Sequence, residues 1–427
     1  MTAAPQPTRE ATPERLAAAR KAVISSSIGA ALEWFDIIVY ASFAVVITQN
    51  FFPDAGEYGL LYTFATFATT YLIRPLGGMI LGSYADRFSR KNALTLTLLL
   101  MMVGTLLMAV APTYEMVGVW GGFIILLSRL IQGFSAGGEF GTATTFLIET
   151  APHRKMFYAS WQVAAQGVSM FLASAFGFAL YTFLSEEDLY AWGWRVPFFV
   201  GLLIGPVGLY IRARLAEPEE LGETQRERSP LLAVFRDHWG RLLAGSAAIG
   251  VATISVYMIL YMPTFAITYL DIPPVAAYLG GVVSGIITLV GSPYVGRLAD
   301  RVGPARIMTW AAVAALVLAF PLFQLMVSLR SVGVLVLVIA LLGIIMACYF
   351  APLPGLLSNL FPAEVRGTGL SVTYNAGVTL LGGIAPLVLT WLLEATGSLQ
   401  TPSLYYMAVA VLSLVGLYFL RTRYRLR

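Results

Sequence analysis

Five charged residues stand inside long apolar runs of this chain: Glu33, Asp36, Arg74, Arg129 and Glu139. Such charges are expensive inside a membrane and persist where they pair or do chemistry. Glu33 and Asp36 are three residues apart, which puts both carboxylates on one helix face together with Tyr40. An arginine fork can clamp a carboxylate through two parallel hydrogen bonds. A carboxylate that feels both burial and a nearby cation is poised to gain and lose a proton. The set could therefore hold an organic anion and carry a proton beside it. At ~1.5 Å per helical residue, Asp36 and Arg129 fall near the middle of their runs, Glu33 one turn inward, and Arg74 and Glu139 further inward. This stacking predicts the pairs Asp36–Arg129 and Arg74–Glu139, with Glu33 left over. Glu33, Asp36 and Glu139 are the candidate proton carriers, with Glu149 at a run's end as a further carboxylate. The alternative is a fixed ionic scaffold, because an unpaired buried charge is prohibitive.

The second half of the chain offers neutral hydrogen-bonding groups instead: Ser255, Tyr257, Tyr261, Tyr349, Thr373, Tyr374 and Asn375. Tyr257 and Tyr261 share a face at i,i+4, as do Gln162 and Gln166 in the first half. The candidate substrate contacts are Arg74, Arg129, Tyr40, Gln162, Gln166, Tyr257, Tyr261, Tyr374 and Asn375. The tyrosines can equally be packing residues. One cysteine, Cys348, and two histidines, His153 and His238, can build neither an intrachain disulfide nor a metal cluster. With no P-loop and no Ser-His-Asp set, ATP-driven transport and hydrolysis lack equipment. No enzyme activity, metal or cofactor is expected, and the proton is the coupling ion.

The elements that must position these residues are membrane spans. The chain is 58% hydrophobic and 12% charged, against roughly 25% charge in soluble domains, and its mean hydropathy is +0.76. A bilayer core takes about 20 apolar helical residues, and twelve runs qualify: 22–50, 58–84, 92–112, 117–146, 157–184, 192–213, 240–269, 274–296, 305–328, 331–357, 367–393 and 403–421. Residues 1–20 carry no cleavable apolar segment, so the first run is expected to be retained. Basic residues set the orientation. Of the 27 Lys and Arg, Arg74 and Arg129 lie within runs and Arg195 and Arg330 at outer ends, and the other 23 fall on the side that holds both termini. The opposite turns carry Asp54, Glu57, Glu115, Glu186, Glu187, Asp188, Asp271 and Glu394. The net charge of +4 thus reflects topology rather than a nucleic-acid partner. Pro263, Pro293, Pro352 and Pro354 are expected to kink their spans, and Gly133, Gly137 and Gly141 to let helices approach closely.

The chain also repeats itself. Gly82-Ser83-Tyr84-Ala85-Asp86-Arg87 follows the second run and Gly296-Arg297-Leu298-Ala299-Asp300-Arg301 the eighth, 214 residues later. Glu149-Thr150-Ala151-Pro152-His153-Arg154 is echoed more weakly by Pro362-Ala363-Glu364-Val365-Arg366. A duplicated six-span unit implies two bundles rocking about a midplane site. The expected parts are a tail at 1–21, a bundle at 22–213, a central loop at 214–239, a second bundle at 240–421 and a tail at 422–427. Gly82, Asp86, Arg87, Arg90, Gly296, Asp300 and Arg301 are candidates for a cytoplasmic gate. Asp86 is placed to meet the positive end of span eleven near Gly367.

The two GxxxDR turns resemble the cytoplasmic loop signature of the major facilitator superfamily. Leu32-Glu33-Trp34-Phe35-Asp36, Ile73-Arg74-Pro75-Leu76-Gly77-Gly78, Arg129-Leu130-Ile131-Gln132-Gly133 through Glu139, Phe157-Tyr158-Ala159-Ser160-Trp161-Gln162 and Trp192-Gly193-Trp194-Arg195-Val196-Pro197-Phe198 resemble its metabolite:proton symporter branch. Ser89 departs from the usual glycine of the first loop, and Pro304-Ala305-Arg306 from a basic pair in the second. The resemblance implies an all-α integral membrane protein with twelve transmembrane helices in two pseudo-symmetric six-helix bundles. It implies proton-coupled symport of a small organic anion, a di- or tricarboxylate such as citrate or α-ketoglutarate, by alternating access. The expected setting is a bacterial inner membrane, with both termini cytoplasmic and the carrier a monomer in the lipid bilayer. The alternatives are a proline/betaine osmolyte symporter and, in another class, a non-transporting membrane sensor.

Overall fold

The computed structural model describes residues 31, 33–87, 90–137, 154–213, 230–362 and 365–426, all helical or in short connections. Twelve transmembrane helices follow one another. The first bundle holds α1 (Glu33–Ser42 continuing as Ala44–Phe51), α2 (Gly59–Leu72 and Arg74–Arg87), α3 (Arg90–Val110), α4 (Trp120–Ala136), α5 (Lys155–Phe183) and α6 (Val196–Ala213). The second holds α7 (Trp239–Tyr269), α8 (Pro274–Val302), α9 (Pro304–Leu329), α10 (Val332–Phe350 and Leu353–Leu357), α11 (Arg366–Val378, Thr379–Gly383 and Ala385–Thr396) and α12 (Thr401–Thr422). Seven of these are each long and apolar enough to cross a membrane, and α1 adds an eighth as a bent pair. Large apolar side chains such as Leu72, Leu203, Trp310 and Val317 lie exposed on the outer faces, where lipid takes the place of a protein core.

Irregularities in these helices have local causes. Pro75 has no N–H for the Tyr71 carbonyl four residues back, and the Thr379 hydroxyl of α11 donates to that carbonyl at 3.3 Å. Residues Thr379–Gly383 form a single π-helical turn, a feature common at functional sites. It brings Gly383 against the Tyr71 ring and Gly382 against Tyr257. Helix α1 bends by 69° at Phe43 without proline or glycine. There the Tyr278 hydroxyl of α8 donates to the Ser42 carbonyl at 2.7 Å, and a side chain inserted into the backbone ladder is a recognised cause of kinks. The expected proline kinks are only partly present. Pro263 and Pro293 lie inside unbroken helices, whereas α10 is interrupted at Ala351–Pro352.

The bundles meet along α5 and α8, which run antiparallel. Gly177 faces Tyr278, Ser174 faces Gly281, Phe171 faces Gly285, Gly167 faces Leu289 and Ser160 faces Gly296. A Cβ on Gly167 would lie 2.5 Å from the Leu289 amide nitrogen, so this approach of the two backbones needs glycine. Gly133 and Gly137 do the same for α4 against the Thr70 and Arg74 carbonyls of α2, whereas Gly141 lies outside the described residues.

Candidate functional site

Helix α1 carries Glu33, Asp36 and Tyr40 on one face, and two arginines reach them from neighbouring helices. Arg129 of α4 holds Asp36 through Nη2 and Oδ2 at 3.0 Å. The other Asp36 oxygen accepts from the Thr105 hydroxyl of α3 at 3.0 Å, and the Gln132 amide donates to Thr105 Oγ1 at 3.0 Å. The Arg129 guanidinium lies over the Tyr40 ring, 4.5 Å from its centre. The Tyr40 hydroxyl is bonded to Thr66 and to the Thr63 carbonyl. Thr105 and Gln132 are members of this network that the charge pattern did not single out.

A second layer repeats the motif one turn inward. Arg74 holds Glu33 at 3.0 Å and lies over the Tyr71 ring at 4.5 Å. Glu33 is therefore not left over but pairs with Arg74, while the expected Arg74–Glu139 pair lies outside the described residues. The reason is helical geometry: three residues carry Glu33 about 4.5 Å along α1 on the same face as Asp36, to the level where Arg74 enters from α2. Glu139 and Glu149 lie outside the described residues. The layers differ in exposure: the Asp36 and Arg129 side chains are 4% and 0% exposed, the Glu33 and Arg74 side chains 13% and 3%.

The arginines are only partly satisfied. Among the described residues, Arg129 Nε and Nη1 and Arg74 Nε are buried without a hydrogen-bond partner. A buried donor left unpaired costs about 1–3 kcal/mol, and more when charged. The Nη1–Nη2 edge of Arg129 is thus half used, with Nη2 bound to Asp36 and Nη1 unpaired, and that edge is a fork from which a carboxylate accepts two parallel bonds.

The neutral candidates of the second bundle divide. Tyr257 stands edge-on to Tyr71 with ring centres 5.4 Å apart, and its hydroxyl is buried and unpaired. Tyr374 is buried, and both tyrosines lie within electrostatic reach of Arg74. Asn375 approaches the Gly137 carbonyl of the first bundle at 3.5 Å. Tyr261 instead bonds Thr390 at 3.0 Å and packs on Phe64. It closes the outer half of the interface and does not join the charged layers. Gln162 and Gln166 are both buried on α5.

At the end of the bundles that carries the GxxxDR turns, Asp300 accepts the Met156 and Phe157 backbone N–H groups at 3.0 and 3.1 Å. These are orphan donors of the first turn of α5, where the helix dipole favours an anion. Gly296 packs on Ser160 and the Met156 carbonyl. Arg301 sits in the last turn of α8, and Arg297 lies over the Phe157 ring at 4.6 Å. The side chains of Gly82, Asp86, Arg87 and Arg90 lie outside the described set, and with them the expected Asp86 contact.

Comparison with known proteins agrees with this architecture. Residues 26–386 match the Major Facilitator Superfamily. The chain is 33% identical over 408 residues to a citrate-proton symporter of Klebsiella pneumoniae, covering 94% of this chain and 92% of that one. It is also 33% identical over 407 residues to a Staphylococcus haemolyticus protein named, provisionally, as a proline/betaine transporter, covering 93% and 86%. A D-xylose-proton symporter crystal structure superposes with a TM-score of 0.75 at 16% identity, over 94% of this chain and 97% of that one, which shows the shared fold. The sensor alternative finds no support among these relatives. With two six-helix bundles and a family match over most of its length, the chain is a multi-pass membrane protein that belongs to the major facilitator superfamily.

Proposed function

We propose that the protein is a proton-coupled symporter of a small organic anion, a di- or tricarboxylate, working by alternating access in a bacterial inner membrane with both termini cytoplasmic. The observation that carries this reading is Arg129, fully buried and bound to Asp36 through one nitrogen, with Nε and Nη1 unpaired. A substrate carboxylate that takes the Nη1–Nη2 edge satisfies Nη1 and competes with Asp36 for Nη2. Asp36 then keeps the Thr105 hydroxyl but loses its cation. An unpaired carboxylate in a dry site binds a proton rather than stay charged. The loaded site is less charged and can rock inward, where substrate and proton leave together. Glu33 and Arg74 repeat the arrangement in a more exposed layer, so Glu33 is the second candidate for the proton.

A symporter of a zwitterionic osmolyte is the second reading, favoured by the staphylococcal relative. Such a substrate needs open aromatic faces for its cationic group. The Tyr40 and Tyr71 faces already carry the Arg129 and Arg74 guanidinium groups, which weighs against it. Uptake into proteoliposomes under an imposed inward proton gradient separates the two. Accumulation of labelled citrate or α-ketoglutarate and not of betaine is the expected result, and the reverse pattern overturns the carboxylate reading.

A further inference from the structure

Helix α8 carries a row of hydroxyls that the charged site does not use. Ser284, Thr288 and Ser292 follow at four-residue steps, all are fully buried, and none of the three hydroxyls has a partner among the described residues. A helical serine or threonine ordinarily bonds back to the carbonyl four residues earlier. Ser255, Thr309 and Thr390 do so here, at 2.6, 2.7 and 2.9 Å. Thr70, Thr264 and Thr373 are also buried without a partner, but on α8 three such hydroxyls follow one another at four-residue steps.

The row faces the middle of the protein. Ile286, Val290 and Tyr294 are exposed on the opposite side of α8. Ser284 abuts Gly343 of α10. Each four-residue step turns the face by about 40°, so Thr288 and Ser292 rotate from the α10 side toward the α5 side. The antiparallel register of α5 on α8 sets Gly167 against Leu289, which puts Gln166 level with the segment between Thr288 and Ser292. Gln166 is 1% exposed and its Nε2 is unpaired. One turn along α5, Ser169 bonds the Ala31 carbonyl at 2.7 Å, two residues from Glu33. Gln166 therefore stands at the corner of α1, α5 and α8, in the layer of the charged site.

We infer that Gln166, Thr288 and Ser292 form an uncharged subsite that binds a hydroxyl or keto oxygen of the substrate while the arginines hold its carboxylate. The inference rests on the carboxylate reading above. A second carboxylate at this place would want a cation, and the one arginine of α8 nearest in sequence, Arg297, is turned onto the Phe157 ring. An amide N–H and two hydroxyls suit a neutral oxygen. A site built to bond such an oxygen rejects the analogue that lacks it, since its own buried groups are then left unpaired.

The test uses matched probes in proteoliposomes of the full chain under an inward proton gradient: citrate with tricarballylate, malate with succinate, and α-ketoglutarate with glutarate. The parent should prefer the oxygen-bearing member of at least one pair. Thr288→Val and Ser292→Ala should each raise KM for that member about tenfold, the cost of one hydrogen bond, and leave KM for its deoxy partner unchanged. Thr288→Ser, which restores a hydroxyl, should recover the preference. A parent that carries both members of every pair equally, or variants that weaken both members alike, overturns the subsite and leaves the carboxylate reading standing. A parent that accumulates none of the six probes overturns that reading and the subsite with it.

Discussion

The two bundles share a fold and divide the chemistry. In the first, α1, α2 and α4 bring two carboxylates and two arginines into the interior, each arginine between a carboxylate and a tyrosine ring. In the second, the corresponding interior is built from tyrosines, hydroxyls and an asparagine. The two six-helix units share the GxxxDR turn and differ in the chemistry of their interiors. On the proposed mechanism, concentrating charge in one bundle serves an exchange of partners. A carboxylate, an arginine and an anionic substrate can trade pairings over a few ångströms, with the displaced carboxylate neutralised by a proton. Were the pair split between bundles, rocking would pull it apart in every cycle. On the same mechanism the neutral bundle would move past a bound substrate at low cost, because hydroxyls and amides lose less on separation than ions do.

The sharpest break of this comparison is Arg129→Lys. Lysine keeps the charge and loses the fork, so at least one charge-assisted hydrogen bond of about 1.5–3 kcal/mol goes. Proton-driven uptake should fall by about 10–100-fold, with the protein still present in the membrane fraction. The matching change in the neutral bundle, Tyr257→Phe, removes an unpaired hydroxyl and should cost far less. Equal losses in the two variants would end the claim that charge chemistry is confined to the first bundle.

Asp36→Asn tests the proton. The amide still accepts from Thr105 and fits the site, but it cannot cycle between charged and neutral forms. Accumulation above the external concentration should disappear while downhill exchange of labelled substrate survives. An Asn variant that still concentrates substrate moves the coupling role to Glu33, and Glu33→Gln in the same assay then becomes the decisive measurement.

How much of this was legible in the sequence follows from the same contrast. The spans were legible because runs of about 20 apolar residues have no soluble explanation. The charged residues were legible because they are rare in such runs. Their pairing was legible for Asp36–Arg129 and not for Glu33–Arg74, because depth counted along straight helices ignores how α2 approaches α1. The 69° bend of α1 was also hidden, since its cause is a tyrosine from α8 and not a local proline. Thr105 left no sequence signal, as its role depends on α3 lying beside α1. Gln132 did leave one: it follows Arg129 by three residues and shares its face. The spacing of Ser284, Thr288 and Ser292 was equally readable, but only burial without partners distinguishes that row from ordinary helical hydroxyls.

Asp300 sharpens the comparison at the end proposed to be cytoplasmic, where the neutral bundle contributes a charge to the charged one. Its carboxylate caps α5 through two backbone N–H groups. Asp300→Asn keeps one acceptor and loses the charge, a cost of about 1–2 kcal/mol in a partly buried helix-end geometry. The inward-open population should rise by about 5–30-fold. In a Cys348→Ala background, thiol labelling of a cysteine placed on the inner cavity wall should accelerate accordingly. Unchanged labelling would reduce Asp300 to a topological residue.

The smallest expected effect lies at the crossing of α2 and α11. Pro75 frees the Tyr71 carbonyl, and Thr379 occupies it from the other bundle. A hydrogen bond of this kind contributes about 0.5–1.5 kcal/mol, present only while the two helices are in contact at this level. Thr379→Val should therefore destabilise the closed arrangement slightly and shift thiol accessibility on the outer side by about 2–10-fold. Pro75→Ala supplies the missing N–H and lets α2 satisfy the carbonyl internally. The effect of Thr379→Val should then be weaker in the Pro75→Ala background than in the parent, a coupling between residues of opposite bundles that a double-mutant cycle reads directly. Strict additivity of the two changes would show that the bond does not hold the bundles together, and closure at this level would rest on the packing of Gly383 and Tyr257 against Tyr71.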